Sequence, residues 1–213
     1  DDIESDWAYE SNPFDFIHAR SLAVSIRNYE KVIGSLIGMP LDSFLPFFLD
    51  SLTESSSVKP GGWVEFQDWD GYPTSEDGSH KGTGLQRFYD EVYGAFEGAG
   101  YEVRPGIKLE QWFKDAGFVN IHVEKFIIPY GIWPKDRYLV SFSNNQLVLN
   151  PVLNIFTEES WRLVQTQAEA LGFEGFAMAA LTRFKNWTKE EVMVLASQAR
   201  ADGKRRDIHM YFD

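Results

Sequence analysis

The chain has 213 residues, a formal net charge of −12 and no cysteine. This acidic balance argues against a nucleic-acid-binding surface, because a polyanionic partner requires clustered lysine and arginine. The absence of cysteine excludes disulfides, thiolate metal sites and cysteine nucleophiles, and no apolar run reaches the ~18 residues of a membrane span. We therefore predict no nucleic-acid or membrane partner and a location in the cytoplasm or the nucleus.

The first third of the chain predicts a loop, a strand and a helix. Residues 1–13 are acidic and end in an Asn-Pro pair, which is typical of a loop. Residues 14–17 (FDFI) predict a short strand, and apolar residues at helical spacing predict a helix from Ala19 onward. The sequence VKPGG then predicts a tight turn that leads into a strand over residues 63–69.

A polar loop over residues 70–84 follows, and its length indicates a functional role. An amphipathic helix is predicted next, from apolar residues at helical spacing: Leu85, Phe88, Tyr89, Val92, Tyr93 and Phe96. A shorter helix is expected to end at Gly117. The alternating residues Val119, Ile121 and Val123 predict a half-buried strand.

The composition turns helical after a proline-marked corner over residues 127–137. Thr157 predicts the start of one helix, and Thr188 with Glu191 predicts a capping box at the start of another. The end of the chain, DIHMYFD, alternates apolar and polar residues and predicts a strand. Strands that alternate with helices favour an α/β sheet.

Six segments, taken in order, are similar to a known family: FDFIHAR, KPGGWVE, AGFVNI, WPKD, TKEEVMVL and DIHMYFD. They resemble the later part of a fungal LaeA-like class I S-adenosylmethionine-dependent methyltransferase, a group of enzymes and regulators of secondary metabolism. The resemblance is strongest over residues 1–27, 58–136 and 187–212. It implies that the chain begins after the family's glycine-rich loop and ribose-binding acid. Because the sequence starts at Asp1 and not at methionine, we also expect a piece of a longer protein.

The fold class implied by the resemblance is a partial Rossmann-like α/β sheet with an appended helical cap region. Residues 1–141 would be the C-terminal portion of the core, residues 142–206 a helical cap or substrate-side insertion, and residues 207–213 the start of a final core strand. Residues 34–57 and 143–160 depart from the family pattern. A substrate lid, a species-specific surface and an error in the gene model remain open for these two stretches.

The resemblance implies S-adenosylmethionine as cofactor and assigns residues to it. Asp2 would accept a hydrogen bond from the exocyclic amine of adenine, and the backbone N–H of Ile3 would donate to a ring nitrogen. Trp7 could stack on adenine. His18 and Ala19 would lie at the carboxyl end of a strand, where open α/β sheets bind their ligands.

Three residues are candidates for catalysis. His18 could be a general base or orient the substrate, or it could form only a local hydrogen bond. Arg20 could clamp a carboxylate of cofactor or substrate, or pair with Asp15 or Glu30.

The third candidate is Glu65: it and the nearby Asp68 could tune each other's proton affinity, or Glu65 could be a solvated acid at the end of its strand. No metal site is predicted, since Asp68, Asp70 and Asp77 are loosely spaced. The remaining histidines are interpreted as solvent-facing: His80, His122 and His209.

The predicted function is methyl transfer to a small secondary metabolite or a protein, with this chain alone expected to be inactive. The alternative is a non-catalytic regulatory or binding module that acts through a protein partner. A methyltransferase-fold enzyme that catalyses a rearrangement without methyl transfer is a third possibility.

Overall fold

The computed structural model describes residues 2–5, 14–37, 57–130, 133 and 172–212. These residues belong to two compact units: unit 1 comprises Asp1–Asp70 and Gly100–Glu124, and unit 2 comprises Gly71–Ala99 and Lys125–Asp213. The described elements in chain order are β1 (Phe14–Arg20), α1 (Tyr29–Ile37), β2 (Val58–Gln67), α2 (Gly84–Gly98), a 3₁₀ turn (Pro105–Ile107), α3 (Leu109–Asp115), β3 (Ile128–Tyr130), α4 (Gly172–Phe184), α5 (Lys189–Gly203) and β4 (Met210–Phe212).

The predicted mixture of helices and strands is confirmed. In the described residues the strands form two separate pairs: β1 with β2 in unit 1, and β3 with β4 in unit 2. A complete Rossmann-like sheet is therefore not seen in this part of the chain. The domain boundaries predicted from the sequence remain predictions, and the helix expected after Thr157 lies outside the described residues. Among the described residues, every helix is too short or too polar to span a bilayer.

Strands β1 and β2 of unit 1 run parallel, with Phe16 opposite Trp63 and Arg20 opposite Gln67. The face that carries Phe66 packs on an apolar cluster. The buried members of this cluster are Ile26, Tyr29, Val32 and Ile33. Helix α3 adds Trp112, whose ring stacks on that of Tyr29 with the centroids 5.2 Å apart. Helices α1 and α3 therefore share one core beneath the strand pair.

The KPGG segment is a bulge within β2, not the turn predicted before it. Strand β2 pairs with β1 on both sides of this segment, and the register shifts between Phe14 and Phe16. Gly61 has a positive φ of 81°, which favours glycine. A Cβ on Gly62 would lie 2.9 Å from the backbone oxygen of Asp15, so only glycine lets the two backbones approach here. The strand consequently starts at Val58, earlier than predicted.

The helix predicted from Ala19 begins only at Tyr29. Ser21 and Val24 have φ values of 56° and 60°, which a right-handed helix cannot contain. The backbone N–H of Ala23 donates to the Asp68 carboxylate and not to a helical carbonyl. The periodic apolar residues after β1 therefore form a loop first and a helix second.

Helix α3 ends as the sequence predicted. Gly117 has a φ of 89°, and its N–H donates to the carbonyl of Lys114 at 3.0 Å. The next residue, Phe118, donates to the carbonyl of Phe113 at 3.0 Å. These two bonds form a Schellman motif, in which glycine supplies the left-handed residue.

The strand predicted over Val119–Val123 is wrong. Its backbone is not assigned to a strand, and the side chain of Val119 is 80% exposed. A strand requires a neighbour that accepts and donates backbone hydrogen bonds. Within the described residues no strand pairs with this segment, so the alternation of its residues does not produce one.

Unit 2 is built from helices α2, α4 and α5 around an aromatic core. The ring of Phe88 in α2 contacts that of Phe173 in α4 edge to face, at 4.6 Å between centroids. Five of the six residues that predicted α2 are buried, and Phe96 contacts Phe176.

Strands β3 and β4 pair antiparallel, which confirms the strand expected near the end of the chain. The capping box of α5 is also confirmed, because Thr188 and Glu191 bond each other's backbone N–H.

Thr188→Ala should lower the free energy of unfolding by about 1 kcal/mol, because the backbone N–H of Glu191, in the first turn of α5, loses the Thr188 hydroxyl as its acceptor. The free energy of unfolding can be measured with urea. Ser197→Ala is the control, since Ser197 is an exposed residue within the same helix. An equal loss of stability in both variants would contradict the capping role.

Candidate functional site

The carboxyl ends of β1 and β2 meet at one edge of unit 1. The two strands are parallel, and Arg20 and Gln67 form their last register pair. The turn over residues 2–5 lies beside the start of α1, because the Glu4 carboxylate accepts hydrogen bonds from the backbone N–H groups of Arg27 at 3.1 Å and Asn28 at 2.7 Å. The loop between β1 and α1 therefore contacts this turn. We call this region, with the loop over residues 21–28, the carboxyl edge.

Two predicted cofactor-binding residues belong to this turn. Asp2 is exposed, and one of its carboxylate oxygens accepts a bond from the backbone N–H of Glu4 at 2.9 Å. Ile3 is partly buried and packs on the cluster that contains Ile26 and Tyr29. The turn is therefore anchored by an apolar side chain, while the carboxylate of Asp2 faces solvent. Trp7 lies outside the described residues.

His18 and Glu65 are opposite each other on β1 and β2. The Nδ1 atom of His18 lies 3.1 Å from Oε2 of Glu65, and Gln67 donates from Nε2 to the other oxygen of Glu65 at 2.7 Å. The two side chains of the pair are 38% and 32% exposed. If Nδ1 carries the proton, Nε2 is left as an acceptor and the ring is held by a carboxylate. This geometry suits an oriented general base, and it also suits a partly exposed ion pair.

Ala19 and Arg20 complete the end of β1. Ala19 is opposite Phe66 and lies on the other face of the sheet from His18, because successive strand residues alternate between faces. Arg20 is partly buried beside Gln67. The structure therefore separates the predicted site residues: His18 and Glu65 share one face, and Ala19 faces the core.

Asp15 and Glu30, the acids that the sequence offers as structural partners of Arg20, each form a further contact. Asp15 accepts two bonds from the Nζ atom of Lys59, each at 2.8 Å. Glu30 accepts a bond from the Nε1 atom of Trp112 at 3.0 Å.

Asp68 has a larger role at the carboxyl edge than the sequence indicated. Its carboxylate accepts bonds from the backbone of Leu22 and Ala23 at 3.0 Å and from the hydroxyl of Tyr29 at 2.8 Å. Desolvation raises the pKa of Asp68, although the bond from Tyr29 and the backbone bonds oppose that shift. Desolvation and the nearby Asp68 charge also raise the pKa of Tyr29. Asp68 therefore accepts hydrogen bonds from the loop after β1, whereas Glu65 is hydrogen-bonded to His18.

A second polar cluster lies in unit 2. The Nδ1 atom of His209 is 2.6 Å from Oδ2 of Asp77, and Ser79 Oγ accepts a bond from the backbone N–H of His209 at 2.7 Å. The ring of Trp133 is 5.1 Å from that of His209. The sequence predicts a solvent-facing His209, whereas the side chain is half-exposed and bonded to Asp77, a partner that was not predicted. Asp77 and His209 are far apart in the chain, and no pattern in the sequence indicates that they are in contact.

Asp77 should titrate at lower pH than an ordinary aspartate. Bonds from Ser75 and Ser79 and from His209 hold the pKa of Asp77 below its usual range. Since the pKa is depressed in the folded state, the stabilising contribution is present at neutral pH and is lost as the pH falls through the folded-state pKa.

Carbon-detected NMR of the Asp77 carboxyl group measures this midpoint. Ser75→Ala should raise it, because the bond from the Ser75 hydroxyl at 2.6 Å is removed. Ser197→Ala, far along the chain on an exposed helix face, is the control. An unchanged midpoint in Ser75→Ala would contradict this assignment.

The chain is similar to fungal methyltransferases along its whole length. It is 31% identical to the methyltransferase pytC of Aspergillus terreus over 214 aligned residues, which cover 100% of this chain and 54% of that protein. It is 24% identical to the protein-methionine methyltransferase laeA of Emericella nidulans, over 99% of this chain and 46% of that protein. The secondary metabolism regulator LAE1 of Cochliobolus heterostrophus is 24% identical over 99% of this chain and 57% of its own length.

These relatives confirm the resemblance to LaeA-like methyltransferases. The chain spans about half the length of the curated relatives that it matches. No family model and no solved structure matches it.

Proposed function

We propose that this chain, a homologue of fungal methyltransferases of secondary metabolism, is part of an S-adenosylmethionine-dependent methyltransferase whose ligands bind at the carboxyl edge of unit 1. The observation that carries the proposal is the similarity to pytC, which extends over 100% of the chain. The parallel pairing of β1 and β2 supports it, because ligands of open α/β sheets bind beyond the carboxyl ends of the strands.

The residues of the turn over residues 2–5 suit the adenine end of the cofactor. The bond from Glu4 fixes one oxygen of Asp2, and the exposed carboxylate can accept a further bond from an exocyclic amine. Ile3 holds the turn against the core of unit 1, so that the position of Asp2 is set before a ligand binds. A pre-set acceptor reduces the ordering cost of binding.

S-adenosylmethionine, when bound, supplies an electrophilic methyl group attached to a sulfonium sulfur. The task of the protein is then to align the acceptor and to exclude water. His18, held by Glu65, is proposed to accept a proton from the acceptor at Nε2. Gln67 holds Glu65 in turn, and Arg20 at the end of β1 is proposed to bind a carboxylate of the cofactor or of the acceptor.

The acceptor is proposed to be a small secondary metabolite or a protein, in the cytoplasm or the nucleus. The name of one relative, a protein-methionine methyltransferase, supports a protein acceptor. The second candidate function is regulation through a protein partner without catalysis. It is supported by relatives that are named secondary metabolism regulators.

Ultraviolet cross-linking of radiolabelled S-adenosylmethionine, followed by peptide mapping, tests the proposed site. We expect label in the peptides that contain residues 2–5 or 18–20, and we expect S-adenosylhomocysteine to compete for it. Label confined to peptides of unit 2 would contradict the proposed site. Absence of competed label from the protein would favour the regulatory function.

In the protein expressed from its complete gene, Asp2→Ala should weaken binding of S-adenosylhomocysteine about tenfold, because a hydrogen bond to the adenine amine is worth about 1.5 kcal/mol. Equilibrium dialysis measures the affinity. Asp15→Ala is the matched control: it removes the same charge from an exposed acid near the amino end of β1. Equal losses in both variants would attribute the effect to net charge and not to adenine recognition.

A further inference from the structure

We propose that Asp68 is a positioning residue for ligand binding at the carboxyl edge: its carboxylate holds the loop after β1 in the shape that the proposed cofactor site requires. This inference rests on the proposed function. It assigns to Asp68 a role in binding without contact to the ligand.

Among the described residues, each group that hydrogen-bonds the Asp68 carboxylate is a donor. One oxygen, Oδ2, accepts bonds from Leu22, Ala23 and Tyr29, and the other, Oδ1, accepts bonds from Ala23 at 3.2 Å and from the backbone N–H of Trp69 at 3.1 Å. Tyr29 is the first residue of α1. One carboxylate thus connects the end of β2, the loop and the start of the helix.

The loop that Asp68 holds has an unfavourable backbone. Ser21 and Val24, on either side of the two bonded N–H groups, have positive φ values. For a β-branched residue such as valine this conformation is a rare outlier, and it persists only where the surrounding contacts determine it. The N–H of Val24 also donates to the carbonyl of Glu102 at 2.8 Å. Asp68 is therefore one of the contacts that define this loop, together with the bond from the N–H of Ser21 to the carbonyl of Gln67 at 2.9 Å.

The shape of this loop sets the position of the proposed binding residues. The loop begins after Arg20 and ends at Arg27 and Asn28, whose N–H groups hold Glu4. Since Glu4 follows directly on Asp2 and Ile3, a change in the loop would move the turn that is proposed to bind adenine. Misplacement of binding groups by about 1 Å is enough to lower activity strongly.

The chemistry of the site explains why a carboxylate is needed. Desolvation raises the pKa of Asp68, because burial disfavours the charged form. The hydrogen bonds from the donors around it offset part of this desolvation cost. Asparagine has the same shape, but it would present an amide NH₂ to at least two of these donors. Tyr29→Phe removes only one donor and leaves the backbone bonds intact.

The test compares three variants in the protein expressed from its complete gene, with S-adenosylhomocysteine as the probe. Asp68→Asn should bind it at least tenfold more weakly, while circular dichroism remains that of a folded protein. Tyr29→Phe should bind no more than about threefold more weakly. Ile33→Val trims a fully buried residue of the same core, so it should lower the midpoint of urea unfolding without changing affinity.

The outcomes separate this inference from the proposed function. If the unmodified protein does not bind the probe, both fail. If it binds and Asp68→Asn binds equally well, or if Ile33→Val loses as much affinity as Asp68→Asn, the positioning role alone is overturned.

A measurement on the unmodified protein covers the case in which Asp68→Asn does not fold. Saturating S-adenosylhomocysteine should slow hydrogen exchange at the amides of Leu22 and Ala23 at least tenfold. Bound probe with unchanged exchange at both amides would overturn the inference.

Discussion

The hydrogen bonds of one carboxylate determine how unit 1 is connected at its carboxyl edge. Asp68 follows β2 in sequence, yet most of its partners are in the loop after β1 and at the first turn of α1. A short turn cannot join two parallel strands, because the chain must cross over between them. Beyond the last paired residues of β1 and β2, Asp68 connects the end of β2 to the loop after β1. The stacking of Trp112 on Tyr29 then couples α3 to the same point.

The position of the candidate catalytic residues follows from the register of β1 and β2. Because His18 is opposite Glu65, and Arg20 opposite Gln67, polar groups of both strands meet on one face of the sheet. The other face, with Ala19 and Phe66, belongs to the core. A shift by one residue would exchange these faces. The bulge at KPGG is the point where the register shifts, and beyond it His18 lies opposite Glu65.

Elements with local signals were predictable from the sequence. Helix α2, the Schellman motif at Gly117 and the capping box at Thr188 depend on residues within a few positions of one another. The start of α1 and the loop before it were not predictable, because they depend on Asp68, which is distant in sequence. Apolar and polar residues alternate over residues 119–123 as they do in a strand, but within the described residues no neighbouring strand pairs with this segment.

The same difference between local and distant contacts applies to the candidate site. The resemblance points to Asp2, Ile3, His18 and Ala19, the aromatic ring of Trp7 suggests stacking on adenine, and Arg20 and Glu65 are candidates from their charge near the ends of strands. Geometry adds that His18 and Glu65 are bonded and that Asp2 belongs to an anchored turn. The pair of Asp77 and His209 could not be found from the sequence, because its members are far apart in the chain.

Calorimetric titration of S-adenosylhomocysteine, into this chain and into the protein expressed from its complete gene, measures cofactor binding. We expect micromolar or tighter binding by the complete gene product. This chain alone, which spans about half the length of its relatives, should bind more weakly or not at all. Absence of binding by both would contradict the claim that this is a cofactor-dependent methyltransferase.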